Sequence, residues 1–265
     1  MRTRLLIHAG HVDQANALIM PMVRTDSPRW RVTMMQIVLI DLLDRDERQA
    51  GQWLDQIELL IPAGAINEQL LWGQAQFVTA QRLDDSERLR RSYSLIASLK
   101  DSPDFPSSGW LLLGVYEETN ENPAQAEIAY RQALAIDSDQ HQAANNLAMM
   151  LLKQGEIDQA LQLAQQAVDL LVSAPSANYL DTLATVQVAS GELALAAESL
   201  REAIRVDPQT ARWYVNRANL LVELEDLDAA RTCLMRMKQQ ANPIPTDDEE
   251  TASLLAEVSQ ALGIE

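Results

Sequence analysis

Hydrophobic residues fall three and four positions apart along most of the chain, the spacing that lines one face of an α-helix. Leu147, Ala148 and Leu151 make one such face, and Ala160, Ala164 and Ala167 make the next. A short polar break separates them, and a shared phrase marks it: Gly155-Glu-Ile-Asp-Gln-Ala160 here and Gly191-Glu-Leu-Ala-Leu-Ala196 further on. The unit is therefore helix, tight turn, helix. It recurs on a steady step, since Ala126, Ala160, Ala196 and Ala230 lie 34, 36 and 34 residues apart and Leu113, Leu147 and Leu183 keep the same intervals. Self-similarity at this period predicts an all-α solenoid, in which each helical pair buries its apolar face on its neighbours.

Four units carry the pattern clearly over 107–240. The first, to about 140, places Trp110, Leu113 and Gly114 on helix A and Ala126, Tyr130 and Ala133 on helix B, with a break at Asn120-Glu-Asn-Pro123. In the second, to about 174, Gly155 supplies the positive φ that ends helix A. The third, about 177–210, has Leu183, Ala184, Gly191, Leu200, Ala203 and Pro208; its two extra residues fall in the loop 173–177, where insertion costs little. The fourth, about 211–240, holds Ala218, Leu221, Ala230 and Leu234, but Arg217 stands where the earlier units have leucine. A polar residue on a packing face predicts the end of the stack. Asn242-Pro-Ile-Pro245 then interrupts the chain, and Thr246 with Glu249 makes a capping box for a last helix, within 246–262, that caps the array.

The set Trp110, Leu113, Gly114, Ala126, Tyr130 and Ala133, with its echoes down to Pro208, resembles the tetratricopeptide repeat family over 107–240. The resemblance implies a right-handed superhelix of antiparallel helix pairs whose A helices line a concave groove. Residues 1–106 read as degenerate repeats of the same kind. Gly10-His-Val-Asp-Gln-Ala15 matches the phrase at Gly155 in four of six positions, Ala50, Leu54, Ile57 and Pro62 continue it, and Trp72, Ala75 and Tyr93 mark a further weak unit. The chain reads as six units in one continuous solenoid, the first incomplete. If Gly10 ends an A helix as Gly155 does, Met1 lies inside that helix, and the expectation is the C-terminal section of a longer array.

Composition narrows the function. Formal net charge is −17, from 38 acidic against 21 basic side chains spread through the chain, and such a surface is a poor partner for nucleic acid. The single cysteine, Cys233, excludes an internal disulfide and fits a reducing compartment, with packing as its role. No stretch approaches the roughly 18 apolar residues of a membrane span. The opening residues are too polar for a secretory signal, so the cytoplasm is the expected location. His8 and His11 with Asp13 have ligand-like spacing, yet Gly10 between them breaks the helix, and they read as loop histidines. Arg88, Arg90 and Arg91 beside Tyr93 form a basic cluster, but Asp84, Asp85 and Glu87 precede it and Glu87 is well spaced to pair with Arg91 on a solvated helix face. No phosphate loop, nucleophile elbow or paired cysteines occur, so neither cofactor nor catalysis is expected.

The resemblance places the candidate binding residues on the A helices: Gln142, Asn145, Asn146 and Met149; Asn178, Asp181, Thr182 and Thr185; Arg212, Val215, Asn216 and Asn219. Amides both donate to and accept from a peptide backbone, so Asn146 and Asn216, with Thr182 between, can form a ladder for an extended chain. Relatives that clamp a partner's C-terminal carboxylate need basic residues where Leu111, Val115, Asn178 and Thr182 stand, and that clamp is not expected. The leading reading is a non-catalytic scaffold or adaptor that holds a peptide or helix of a partner protein. A regulatory or assembly section of a larger enzyme or secretion machine, and self-association through the N-terminal end, are the alternatives.

Overall fold

In the computed structural model residues 2–23, 27–171, 174–245 and 248–264 are described, and every regular element among them is helical. The helices are α1 (Arg2–His8), α2 (Val12–Val23), α3 (Pro28–Ile37), α4 (Glu47–Glu58), α5 (Ile66–Leu83), α6 (Ser86–Leu99), α7 (Ser107–Thr119) and α8 (Pro123–Ile136). They continue with α9 (His141–Gln154), α10 (Ile157–Asp169), α11 (Ala177–Ala189), α12 (Leu193–Val206), α13 (Ala211–Glu223), α14 (Leu227–Gln240) and α15 (Glu249–Leu262). The fold class is the α-solenoid that the periodicity predicts. Consecutive helices make seven pairs among the described residues, one more than the sequence count, because α1–α2 and α3–α4 are separate pairs. Met1, Ser173, Thr246 and Asp247, which carry the expected incomplete helix, part of the insertion loop and the expected capping box, lie outside the described residues.

The turn within a pair has one backbone solution, used six times. At the Gly155 turn the Glu156 N–H reaches the Leu151 carbonyl at 2.9 Å and the Gly155 N–H reaches Leu152 at 3.0 Å, which satisfies the open carbonyls at the end of α9. The five-residue bond recurs as His11 to Leu6, Asp85 to Ala80, Asn122 to Glu117, Glu192 to Gln187 and Asp226 to Leu221. The pivot must take positive φ, which Gly155 and Gly191 do at 82° and 83°. Asp84, Glu121 and Glu225 hold the same conformation without glycine, at 51°, 58° and 61°. Just beyond the turn the ruler alanines Ala15, Ala126, Ala160, Ala196 and Ala230 are all fully buried, because a larger side chain there would push the two helices of the pair apart.

The chain divides into two compact units, Met1–Ala129 and Tyr130–Glu265, with the boundary inside α8. The first unit is held by more polar chemistry than its apolar pattern suggests. α3 runs on into a π-helical turn, Val38–Leu42, which replaces the usual turn of the pair. Asp41 in that turn is buried and bonds Arg4 and His8 of α1. Arg31 and Glu68 form a buried ion pair with contacts of 2.6 and 3.2 Å, and the Trp72 indole donates to the Leu54 carbonyl at 2.9 Å. α5 and α6 approach so closely at Gly73 that a Cβ there would lie 2.4 Å from Ile96 Cδ1.

In the second unit α9–α10, α11–α12 and α13–α14 stack in order, and α15 follows. Asp248 caps α15 by accepting from the Thr251 N–H at 3.1 Å. Val258 and Leu262 of α15 enter the apolar cluster of Trp213, Val215 and Ala218, so α15 lies chiefly on α13 rather than on α14. Arg217 does not mark an uncovered end. Its guanidinium turns back into the stack and donates to the Ala197 carbonyl of α12 at 3.1 Å.

Candidate functional site

The wall formed by α9, α11 and α13 carries the residues singled out from the sequence, and they divide into three kinds. Some are locked. Asn146 donates to the Tyr130 hydroxyl of the preceding repeat at 3.2 Å and receives Asn145 at 3.4 Å, so its amide is already engaged within the stack. Thr182 is buried at 8% exposure and Val215 at 0%. Val215 therefore does not line an open groove: it belongs to the cluster that α15 completes with Val258 and Leu262. Others are open: Gln142 and Asn178 are exposed, and Met149 is half-buried.

The third kind converge. Asp181, Thr185, Asn216 and Asn219 border one pocket of about 190 Å³ between α11 and α13, with Ala184, Val188, Leu200 and Leu220 as its apolar floor and Leu254 of α15 at its edge. Asp181 sits at the centre of the polar side. It pairs with Arg212 at 3.3 Å and accepts from the Asn216 amide at 3.4 Å. Burial pushes its carboxyl above the usual range, Arg212 and Asn216 pull it back, and Glu250 of α15 adds to the rise. Arg212 also lies over the Trp213 ring, 4.5 Å from its centre. Thr185 donates to the Asp181 carbonyl at 2.9 Å, and Asn219 donates to Glu223 at 3.0 Å. The wall thus offers carboxylate, amide and hydroxyl groups around an apolar hollow. The family resemblance pointed to four of its members. It missed Leu254, because which face of the wall the last helix covers depends on the path of the linker.

The other candidate chemistry is occupied. Both ring nitrogens of His8 are engaged, with Nε2 at 3.2 Å from Asp41 and Nδ1 at 2.9 Å from Arg45. No group of three or more metal-ligating side chains occurs among the described residues. Arg88 is clasped by Asp55 at 2.8 and 2.9 Å and also bonds Gln76, while Arg91 reaches the same Asp55 at 2.8 Å. Glu87 pairs with Arg90 at 2.7 Å instead of the Arg91 that the four-residue spacing favours, because Arg91 is drawn to α4. Cys233 is buried, which raises its pKa against the pull of Arg217 and suits a packing thiol. No helix among the described residues is long and apolar enough to cross a membrane.

Two sequence profiles described as tetratricopeptide repeat match residues 139–209 and 182–241, the stretch that builds this wall. Residues 139–241 are tetratricopeptide repeats. A comparison with curated protein sequences finds no match. Solved structures share the fold. The structure of PilW, a widely conserved type IV pilus biogenesis factor, superposes with a TM-score of 0.66 at 17% identity over 86% of this chain and 100% of its own. PilF of Pseudomonas aeruginosa gives 0.59 at 20% identity over 74% and 86%, and MamA from Desulfovibrio magneticus gives 0.52 at 13% over 63% and 93%. At these identities the likeness is one of fold. The tetratricopeptide repeats make the chain a protein-interaction scaffold.

Proposed function

We propose that this scaffold is a non-catalytic adaptor and that the α11–α13 face of the repeat wall seats an extended segment of a partner protein. The observation that carries the reading is the convergence of Asp181, Thr185, Asn216 and Asn219 around one apolar-floored pocket. Groups of this kind hold a peptide backbone while the floor takes one apolar side chain, so affinity comes from main-chain contacts and selectivity from a single anchor. The neighbours support a scaffold reading through their shared fold and say nothing of which partner is held. A single buried thiol fits the reducing interior proposed for the chain.

The test is affinity capture with the full chain, quantified by mass spectrometry, using Thr185→Arg with Asn219→Arg to fill the pocket and Gln162→Arg on the exposed face of α10 as the control. Proteins held by the wild type and by the control, and released by the filled pocket at least about tenfold more, are the expected outcome. That ratio corresponds to a loss of about 1.4 kcal/mol. Equal retention by all three chains contradicts the proposal.

A further inference from the structure

The B-helix side of the second unit carries a different site. Between α12 and α14, floored by α13, lies a pocket of about 220 Å³ whose walls include Arg201, Arg217 and Arg236 together with Ile204, Tyr214 and Cys233. Three guanidinium groups meet there in a chain of net charge −17. Arg201 is partnered by Glu198, one helical turn away on the same helix. Among the described residues neither Arg217 nor Arg236 forms an ion pair: Arg217 donates to the Ala197 carbonyl at 3.1 Å and also reaches the Cys233 thiol, and Arg236 donates to the Gln240 side chain at 2.9 Å. Both oxygen contacts use Nε, and a guanidinium has five N–H donors, so the terminal nitrogens that make bidentate contacts are not spent on a carboxylate.

Packing does not explain Arg217. In the three preceding A helices the same place is held by Leu113, Leu147 and Leu183, all buried. Replacing leucine with a half-buried cation costs desolvation, which an anion in the pocket would offset. We infer that this pocket is a second binding site, away from the groove, which receives a glutamate side chain from an acidic segment of a partner protein. The carboxylate is held by Arg217 and Arg236, with Arg201 free to swing in from Glu198. The two methylenes lie against Ile204 and the Tyr214 ring. Such a stem suits the mostly apolar wall, and a bare inorganic anion would leave that wall empty. Charge complementarity also favours this pocket, because the chain's net charge of −17 disfavours an acidic segment where no cations cluster.

The test follows the arginine Nε–H signals of the full chain by NMR during titration with acetyl-Ala-Glu-Ala amide. The isosteric acetyl-Ala-Gln-Ala amide and inorganic phosphate are titrated in parallel. The signals of Arg217 and Arg236 are expected to move saturably with the glutamate peptide, and at least about tenfold more weakly with the glutamine peptide. Arg217→Leu restores the residue of the other repeats, so it should keep or raise the melting temperature while abolishing the response at Arg236. Arg236→Gln should weaken the response at Arg217. Equal responses to the two peptides overturn the inference, as does glutamate binding that survives in folded Arg217→Leu. Binding of phosphate without binding of the glutamate peptide also overturns it.

Discussion

At the scale of single residues, the turn pivots are where the repeat and its variations meet. Gly155 and Gly191 take a positive φ without steric penalty, whereas Glu121 and Glu225 take it with a Cβ that crowds the following carbonyl. Glu121→Gly and Glu225→Gly should each therefore raise stability, by up to about 1 kcal/mol after the entropy cost of glycine in the unfolded chain. Gly155→Ala should lower it by a similar amount. Urea unfolding followed by circular dichroism measures all three, and a destabilised Glu225→Gly would count against the shared turn. The pivots were half legible in the sequence. Glycine at positions 155 and 191 announces a left-handed residue, but a glutamate in the same place announces nothing until its spacing from Ala126 or Ala230 is counted. Arg217 was legible as an irregularity and misleading as to its meaning. A break in an apolar pattern does not say whether the side chain turns outward or, as here, back toward α12.

At the scale of elements, α4, α5 and α6 are joined by the carboxylate of Asp55. Burial works against its charge, but hydrogen bonds and attraction from Arg88, aided by Arg91 and Gln76, outweigh that and lower its pKa. The sign follows from the folded value lying below the unfolded one. Asp55 contributes its stability in full above the ordinary carboxylate range, and the contribution disappears as pH falls through the depressed folded value. The stability difference between the wild type and Asp55→Asn should accordingly be largest near about pH 7 and should shrink toward about pH 2, measured by urea unfolding across that range. A difference independent of pH would show that Asp55 acts through shape alone. None of this network was readable from spacing, because Asp55 and Arg88 are 33 residues apart and meet only once the helices pack. The helices themselves were readable, since short apolar stripes with a turn between them leave few other ways to hide the stripe. The last helix shows the limit. Its existence and approximate extent follow from the sequence, but its lean onto α13, which buries Val215 and brings Leu254 to the pocket, does not.

At the scale of the whole molecule, a repeat chain of this kind binds through surfaces that its helices present together. The second unit presents two such surfaces of opposite character: a carboxylate and amide hollow on the A-helix wall, and an arginine-lined pocket among the B helices. Four groove residues were found from the family pattern because A-helix positions alternate between core and wall. The arginine pocket drew on three helices, and only Arg217 among its arginines stood out in the sequence. The central claim is that the α11–α13 hollow holds a partner. Site-specific photocrosslinking measures this most directly, with p-benzoylphenylalanine placed at the exposed Asn178, on α11 outside the hollow, or at Gln162 on the exposed face of α10. Partner peptides joined to position 178 and absent from position 162 are the expected result. Crosslinks that form at position 162 and not at position 178 would contradict it.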